Sequence, residues 1–443
     1  MDECVSILIL SGVSGDTRRY RSLHLQEQCE LAGVQVRLAH IADAGLMRLV
    51  SKERFDIAVF QRVEMDAYVK RLLGVLKTAG TLNLYDSDDL VFEESMFQFI
   101  DSPDFSDPIR ASLYRKNMRR QRQMLLACDA ALVSTAFLAE QVKKLGKVVR
   151  IHRNAFSLQM LACAEATYRA HEVQREGVVM GYASGTRTHD RDFSVAATAL
   201  RAVLEIQPQA SLWLVGPVDP GVGWEKFGER VKRFPAVDWR KLPEYLVQFD
   251  INLAPLSVDN PFAQSKSAIK FMEAALVRRP TIASGSAAFE EAICDGENGF
   301  IADNEGQWTE KLLHLVQEPG LRARMGEKAY QDIMASDHPM VRSRELFETL
   351  NDLHLQLRGK KLWRDGAIDA KLIQQRVEKR SAAGCGYTSL KKRDIYYLRR
   401  GWVTLWRRGP LELLGGVWVG LRRLIAPIFP FRLRDEKDKN KTV

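Results

Sequence analysis

The stretch "SAIKFMEAALVRRPTIAS", residues 267–284, joins a helical pattern to a short run that is typical of a buried strand. Its first half places apolar residues at helical spacing, and its end, PTIAS, has the composition of a strand covered on both faces. A short helix followed at once by a buried strand is one unit of an alternating α/β fold. A carboxylate, Glu273, lies among the apolar residues of that helix.

The same alternation extends in both directions from this unit. Apolar runs are followed by turns and helical patterns, and several of these patterns end at a glycine such as Gly33 or Gly80. The predicted strands are 5–10, 34–40, 55–61, 81–89, 129–135 and 147–152 in the first half, then 177–185, 210–217, 249–256, 278–285 and 296–304. Parallel strands with helices on both faces give this pattern. The sequence therefore predicts an α/β fold with two Rossmann-like, doubly wound domains.

The domain boundaries follow from where the alternation stops. We predict a first domain at 1–165, a polar linker around 160–176, a second domain at 177–335, a helical return segment at 336–359 and a basic, amphipathic tail at 360–443. Ligands of doubly wound sheets bind outside the carboxyl ends of the strands. Two such domains facing each other are therefore expected to bind their ligands in the cleft between them.

Charge and cysteine usage narrow the class of protein. The net charge is +9, yet residues 360–443 carry 21 Lys and Arg against 8 Asp and Glu, whereas residues 1–359 carry 44 against 48. The basicity therefore belongs to the tail. Six cysteines are scattered without a CxxC pair or a nearby histidine cluster, which argues against a zinc site. The N-terminus MDECVSILIL opens with acids instead of a basic signal-peptide start, so we expect a cytoplasmic protein.

Blocks of the second half resemble a known family. They are GYASGTRTHDRDF (181–193), LWLVGP (212–217), LPEYLVQFDINLAPL (242–256), FAQSKSAIKFMEAALVRRPTIAS (262–284) and DGENGFIADN (295–304). Together they resemble the retaining glycosyltransferases of the two-domain GT-B type, group 1 or family 4-like. The resemblance implies transfer of a sugar from a nucleotide-sugar donor to a glycan, lipid-linked or cell-envelope acceptor. It also implies that the nucleotide-sugar is a substrate, that no cofactor is held and that no divalent metal is essential.

The quoted helix carries one half of the family's E-x7-E motif. Glu273 matches the second glutamate, for which the resemblance implies a contact to the nucleotide ribose. The first glutamate would fall at position 265, where this chain has Ser265. A helix starting near 265–267 would point its first amides, including that of Ser267, at the donor diphosphate, and Lys266 would add a positive charge.

The turn SGTRTHDRDF supplies further candidates. Family members place an Arg/Lys pair here against the diphosphate, and Gly185, Arg187 and Arg191 are the residues of this chain that match. Arg187 and Lys266 are then expected to stabilise the charge that develops as the nucleoside diphosphate leaves. In a retaining mechanism the departing phosphate takes the acceptor proton, so the resemblance requires no protein nucleophile.

The first domain is expected to hold the acceptor. Its loop SGVSGD, with Gly12 and Gly15, permits close approach of a phosphate or a sugar to the backbone. The segment YDSDDL offers three acids at a strand end, and we assign Asp88 and Asp89 to orienting the acceptor hydroxyl instead of binding a metal.

Plainer interpretations remain open for each site. Glu273 is equally compatible with a helix residue paired with Lys270 or Arg278. The arginines of the turn also fit surface charges, the acids at 86–89 fit turn and helix-cap residues, and the glycine loop fits strand-to-helix geometry. At the level of the whole chain, the alternatives are a non-catalytic nucleotide-sugar or glycan-binding scaffold and a nucleotide-sugar epimerase.

Two basic segments suggest an anionic partner. Asp107 and Pro108 predict the start of a helix that carries six Arg and Lys residues up to Arg122, which suits anionic lipid, a pyrophosphate-linked acceptor or plain solvent. In residues 396–434 of the tail, three tryptophans and three Arg pairs alternate with aliphatic runs of at most nine residues without charge, too short to span a bilayer. This pattern is typical of a segment that lies at a membrane surface, gaining about 1 kcal/mol per cation near anionic lipid. We therefore expect peripheral attachment to the inner face of the cell membrane and no nucleic-acid partner.

Overall fold

The computed structural model describes residues 5–171, 176–185, 190–363 and 370–381. These residues form two parallel six-stranded sheets, each flanked by helices on both faces. The predicted α/β fold with two Rossmann-like domains is therefore confirmed. The central strands of each sheet match the predicted apolar runs, because these strands are buried on both faces.

The first sheet has the strand order β2-β1-β3-β4-β5-β6. Its strands are β1 (Ser6–Ser11), β2 (Gln35–His40), β3 (Ile57–Gln61), β4 (Leu82–Ser87), β5 (Ala130–Val133) and β6 (Val148–Ile151). β1 pairs in register with β2 through Ser6 and Gln35 and with β3 through Ile7 and Ile57. The chain order reverses at β1, so the loops after β1 and β3 meet at the cleft edge, where a doubly wound sheet binds its ligands.

The helix after β1 is interrupted in an unusual way. It runs from α1 (Asp16–Arg18) through a π-helical stretch (Arg19–Leu23) into α2 (His24–Ala32). Such π-helical turns are rare in proteins as a whole, and those that occur are frequently at functional sites. The other helices of the first domain are α3 (Leu46–Lys52), α4 (Ala67–Thr78), α5 (Pro108–Ala127), α6 (Ala136–Lys143) and α7 (Leu158–Ala170), with 3₁₀ turns at Glu94–Phe99 and Pro103–Ser106.

The second sheet has the strand order β12-β11-β10-β7-β8-β9. Its strands are β7 (Val178–Ala183), β8 (Ala210–Val215), β9 (Val231–Phe234), β10 (Ile251–Ala254), β11 (Thr281–Ala283) and β12 (Phe300–Ile301). Its helices are α8 (Asp190–Ile206), α9 (Leu242–Leu246), α10 (Pro261–Gln264), α11 (Ile269–Ala275), α12 (Ala287–Ala292), α13 (Glu305–Gln317) and α14 (Pro319–Ser336). Apolar clusters fill both faces of this sheet, around Trp308 on one and Phe249 on the other.

Two segments differ from the sequence-based prediction. The stretch predicted as a polar linker is helix α7 up to Ala170, because Met160, Cys163 and Ala164 recur on one face and are buried. Strand β9 was not predicted, since an edge strand with the exposed Lys232 and Arg233 has no apolar run.

The chain returns to the first domain after α14. Helix α15 (Pro339–Arg358) packs on α2, and its Ser343 hydroxyl donates to the Gln28 carbonyl at 2.7 Å. A further helix, α16 (Ala370–Ser381), lies within the predicted basic tail but buries Ile373 against Leu31 of the first domain. This part of the predicted tail is therefore packed on protein. The aromatic and Arg-rich part of the tail lies outside the described residues.

The basic helix α5 begins as predicted, with the Asp107 carboxylate accepting from the amides of Ile109 and Arg110. Its cations are used within the domain: they pair with carboxylates at or beside the two 3₁₀ turns. The pairs are Arg110 with Asp104, Arg119 with Glu94 and Arg122 with Glu93. No helix among the described residues is both long and apolar enough to cross a membrane.

Candidate active site

A cleft of about 1320 Å³, including its mouth open to solvent, lies between the two domains. It is lined from the first domain by the start of α1, the π-helical stretch and the loop after β4. The second domain contributes the ends of β7 and β8, Trp239, and the segment from Lys266 into α11. Six residues that the sequence singled out line this cleft together: Asp88, Asp89, Gly185, Lys266, Ser267 and Glu273.

Glu273 is contacted from the opposite domain. Its Oε1 accepts a hydrogen bond of 2.5 Å from the Tyr20 hydroxyl and lies 3.8 Å from Nη2 of Arg19. Burial raises the pKa of Glu273, and Arg19 and the Tyr20 hydroxyl oppose that rise. Of the two alternative partners, Arg278 pairs with Glu165 instead, and Lys270 donates to the Ala183 carbonyl while its charge lowers the pKa of Glu273. The side chain is 16% exposed, so its carboxylate faces the cleft and not bulk solvent.

Arg19 and Tyr20 were not predicted as site residues. The Arg19 guanidinium lies 4.2 Å from the centre of the Tyr20 ring and 4.9 Å from that of Trp239, which belongs to the second domain. Burial lowers the pKa of Arg19, but Tyr20, Asp16 and Glu273 raise it overall. The π-helical turn carries both side chains to the cleft. This cluster closes the end of the cleft next to Glu273.

Lys270 is a third residue of the cleft that was not predicted as part of the site. It precedes Glu273 by three residues on α11, and its Nζ donates to the Ala183 carbonyl at the end of β7. The ammonium also lies 4.7 Å from the centre of the Tyr182 ring. Burial lowers the pKa of Lys270 to about 8, so the side chain is still mainly charged at pH 7. The cleft therefore contains a second cation close to Lys266.

Four charged groups meet where the domains face each other. Lys266 Nζ lies 3.9 Å from Asp89 Oδ1, and Arg62 Nη1 lies 3.1 Å from Asp89 Oδ2 and 3.6 Å from Asp88 Oδ1. Burial and the neighbouring Asp89 raise the pKa of Asp88 to about 7, against the opposing effect of Arg62. Asp88 Oδ1 accepts no hydrogen bond from any described residue. A carboxylate that lines the cleft and has a pKa near neutrality suits a group that orients a reacting hydroxyl.

The start of α11 differs from the expectation. The helix begins at Ile269 instead of 265–267, and the amides of Ser265, Lys266 and Ile269 already donate to carbonyls within this turn. Fewer amides are therefore available to a diphosphate than predicted. We expect the cationic side chains to contribute more of its binding. Ser265 itself is fully buried and donates to the Phe262 carbonyl at 2.6 Å, so it does not line the cleft.

The remaining predicted residues fall into three groups. Arg191 is exposed and lines a neighbouring chamber instead of the cleft, and Arg187 lies outside the described residues. Gly12 and Gly15 do not line the cleft: a Cβ at Gly12 would lie 2.4 Å from the Arg62 carbonyl oxygen, so this glycine serves close backbone packing. Gly15 has φ of 75° and is the N-cap of α1.

Buried hydrogen bonds connect the first domain to the start of α11. Arg21 donates to both carboxylate oxygens of Asp86 at 3.0 and 2.5 Å and to Asn154 Oδ1 at 3.1 Å. Asn154 Nδ2 in turn donates to the Ser267 hydroxyl across the domain boundary at 2.8 Å. Asn154 therefore positions Ser267 relative to the first domain. Asp86 faces Arg21 inside the domain and does not line the cleft.

The acids of this region were also weighed as metal ligands. Among the residues that the structure describes, no group of three His, Cys, Asp or Glu side chains is placed to hold a metal ion. The acids after β4 are instead engaged by arginines: Asp86 by Arg21, and Asp88 and Asp89 by Arg62.

Comparison with known proteins agrees with this architecture. Residues 179–318 match the family model described as glycosyl transferases group 1. The match covers most of the second domain, including the cleft residues from Ala183 to Glu273. A search of curated proteins found no match.

Solved structures of similar fold are glycosyltransferases and related synthases. Sucrose-phosphate synthase from Thermosynechococcus elongatus is similar at a TM-score of 0.54 and 13% identity, over 80% of this chain and 100% of that one. WaaG, a glycosyltransferase involved in lipopolysaccharide biosynthesis, gives 0.53 and 14%, over 77% and 98%. HepE of Anabaena, in complex with UDP and glucose, gives 0.50 and 13%, over 79% and 100%.

The fold and the family match together define the class of protein. Two facing doubly wound domains are the GT-B architecture, and the second of them is a group 1 glycosyl transferase domain. The GT-B fold and the group 1 match over residues 179–318 support glycosyltransferase activity, as the sequence resemblance predicted.

Proposed function

We propose that the protein transfers a sugar from a nucleotide-sugar to a glycan, lipid-linked or other cell-envelope acceptor, with retention of configuration. The observation that carries this proposal is the meeting of donor-type and acceptor-type groups in one cleft. Glu273, Lys266 and Lys270 lie on the second-domain side, and Asp88 and Asp89 face them from the first. The Glu273 carboxylate would accept hydrogen bonds from the ribose, in place of the bond that Tyr20 now donates.

The cations next to Glu273 fit the leaving group. Lys266 and Lys270, with Arg187 from the adjoining turn, would neutralise the diphosphate as it departs. The acceptor hydroxyl oxygen bonds to the anomeric carbon, the bond from that carbon to the phosphate oxygen breaks, and the hydroxyl proton moves to the departing phosphate. Asp88 and Asp89 orient the hydroxyl during this step. The nucleotide-sugar is a substrate in this scheme, and we assign no cofactor and no essential divalent metal.

Donor binding is the first expected result. A panel of UDP-, GDP- and ADP-sugars should contain one compound that raises the thermal unfolding midpoint of the full chain, because a ligand that binds only the native state stabilises it. We expect Glu273→Ala to reduce that shift strongly at equal ligand concentration. Glu297→Ala, which removes an exposed carboxylate of the same domain, is the matched control and should leave the shift unchanged.

Turnover tests the same proposal independently. Glu273→Ala and Arg187→Ala should each abolish donor-dependent release of nucleoside diphosphate while circular dichroism shows a folded protein. Wild-type turnover in both variants would refute the site assignment. Donor binding without turnover over a broad acceptor panel would instead favour a non-catalytic scaffold, which the buried Ser265 in place of a motif glutamate makes the second candidate. Conversion of the donor without any acceptor would identify an epimerase.

Membrane attachment forms a separate part of the proposal. The aromatic and Arg-rich segment 385–443 lies outside the described residues, and its composition supports contact with the inner face of the cell membrane. Deleting 385–443 should abolish co-sedimentation with anionic phosphatidylglycerol vesicles while leaving the unfolding midpoint of the two domains unchanged. Equal co-sedimentation of the full-length and truncated proteins would contradict attachment through this segment.

A further inference from the structure

A second chamber of about 830 Å³, again including its open mouth, lies beside the cleft. The two cavities share three lining residues, Thr17, Asp89 and Lys266. They therefore meet at the point where Lys266 Nζ and Asp89 Oδ1 are 3.9 Å apart. In the proposed function this is where the diphosphate departs and the acceptor hydroxyl attacks. A molecule in the second chamber would therefore lie next to this point without occupying the nucleotide side of the cleft.

Three aromatic side chains line the chamber. Tyr114 of α5 and Phe99 come from the first domain, and Phe262 of α10 comes from the second. The Tyr114 ring is held from behind by Phe105 and Phe97, whose ring centres lie 4.9 and 6.0 Å from its own. Tyr114 is therefore fixed by packing, as a rigid binding surface requires.

Both domains are needed to build this chamber. Asn260 is buried, and its Nδ2 donates to the Phe99 carbonyl across the domain boundary at 2.8 Å. Its Oδ1 accepts from the Phe262 amide at 2.9 Å and so caps α10. One side chain thereby ties the 3₁₀ turn ending at Phe99 to the helix that carries Phe262. The sequence analysis gave no role to any of these residues.

Among the described charged residues around the aromatic rings, acidic groups outnumber basic ones. Asp89, Asp101 and Asp192 line the chamber together with the two cations Arg191 and Lys266. Lys266 and Arg62 are matched by Asp89 and Asp88, which leaves Asp101 and Asp192 against Arg191, so a strongly anionic ligand would meet more negative than positive charge. Carboxylates are good acceptors for hydroxyl donors. Aromatic rings offer a surface on which the C–H face of a sugar ring packs.

We infer that this chamber binds the acceptor and that the acceptor presents an uncharged sugar ring there. The inference rests on the proposed function and deepens it, since it assigns both the place and the chemical class of the acceptor. The sugar ring packs against Tyr114 and Phe262, and its outer hydroxyls donate to Asp101. The reacting hydroxyl points to Asp89, which lines both cavities. Arg191 belongs to this chamber and not to the diphosphate site.

Saturation-transfer NMR on the full chain tests the inference. The probes are methyl glucoside, methyl galactoside, methyl mannoside and methyl N-acetylglucosaminide, with glucose 6-phosphate as the anionic probe. Each is measured with a saturating amount of whichever of UDP, GDP and ADP raises the unfolding midpoint. At least one methyl glycoside should receive saturation at its ring protons. Tyr114→Leu removes the ring surface, and Asp101→Trp fills the mouth of the chamber. Each variant should weaken binding of the methyl glycoside by about tenfold or more.

Glu94→Gln is the matched control. Glu94 lies on the 3₁₀ turn that ends at Phe99 and pairs with Arg119 without lining the chamber. Binding of the methyl glycoside should therefore be unchanged in this variant. Methyl glycoside binding that both chamber variants leave intact would overturn the location. Binding of glucose 6-phosphate alone, lost in Arg191→Ala, would overturn the uncharged class, and binding of no probe would count against both. Nucleoside diphosphate binding is recorded in every sample, so a protein that binds none identifies a failure of the proposed function instead.

Discussion

Asp88→Asn is expected to lower the rate of nucleoside diphosphate release in the presence of acceptor by about 10²-fold and, at the same time, to make the protein more stable at neutral pH. The catalytic loss follows from the position of Asp88 at the wall of the cleft, where its side chain is 10% exposed and its buried Oδ1 accepts no hydrogen bond from a described residue. An amide keeps the shape of the side chain but accepts a proton or a hydrogen bond far less well than a carboxylate.

The gain in stability follows from the pKa of Asp88. Burial and Asp89 raise this pKa from 3.8 to about 7 in the folded protein. Below pH 3.8 the group is protonated in both the folded and unfolded states, so it costs nothing. Between pH 3.8 and 7 the unfolded state ionises first, and stability falls as pH rises; above pH 7 the cost is constant. Removing the ionisable group should therefore raise the unfolding midpoint at pH 7.5 and leave it nearly unchanged at pH 4.

Two measurements check this pair of effects. The wild-type rate should rise with pH through about 7 as Asp88 ionises, and this limb should disappear in Asp88→Asn. Asp259→Asn, an exposed carboxylate, is the control and should change neither rate nor midpoint. A variant that is less stable at pH 7.5 than the wild type would show that the ionised carboxylate stabilises the fold, and our account of its raised pKa would be wrong.

Most of the fold could be predicted because buried parallel strands carry their own signal. Runs such as Ile7–Leu10 are apolar at every position, since both faces of the sheet are covered. The same rule explains the strand that was missed, because β9 lies at the sheet edge with Lys232 and Arg233 exposed. Helix α7 was missed for a different reason. Its polar C-terminal half dominated the pattern, while its buried face is supplied by a few residues near its start.

The site residues that could be predicted either follow the end of a strand, as Asp88, Asp89 and Gly185 do, or belong to one local motif. Lys266 and Glu273 belong to one local motif, and the structure brings them into one cleft. The contact between Tyr20 and Glu273 joins positions 253 residues apart and exists only because the two domains face each other. Lys270 was noticed only as a possible partner of Glu273, because the sequence does not show that the end of β7 lies against its ammonium group. Long-range contacts of this kind depend on domain packing, which no local pattern encodes.

Asp86→Ala is expected to destabilise the first domain by about 3–5 kcal/mol, the typical cost of leaving one partner of a buried ion pair without the other. The side chains of Arg21 and Asp86 are each only 2% exposed, and the guanidinium donates to both carboxylate oxygens. Burial alone would lower the pKa of Arg21, and Asp86 is the principal group that raises it overall. Without that carboxylate, Arg21 keeps a buried charge with only the His152 carbonyl and the Asn154 side chain as acceptors.

The double variant Arg21→Met/Asp86→Leu separates the charge from the packing. It removes both partners while filling similar volume, so it should recover most of the stability that Asp86→Ala loses. The matched control is Glu140→Ala, which breaks the exposed pair with Lys143 in the same domain and should cost about 0.5 kcal/mol or less. Urea midpoints of the full chain are compared instead of free energies of unfolding, because two domains need not unfold as one unit. Because Asn154 also holds Ser267 across the cleft, Asp86→Ala should further reduce the thermal shift given by the donor. A midpoint for Asp86→Ala no lower than that of Glu140→Ala would mean that water or another group compensates Arg21, and the link from this ion pair to the donor site would fail with it.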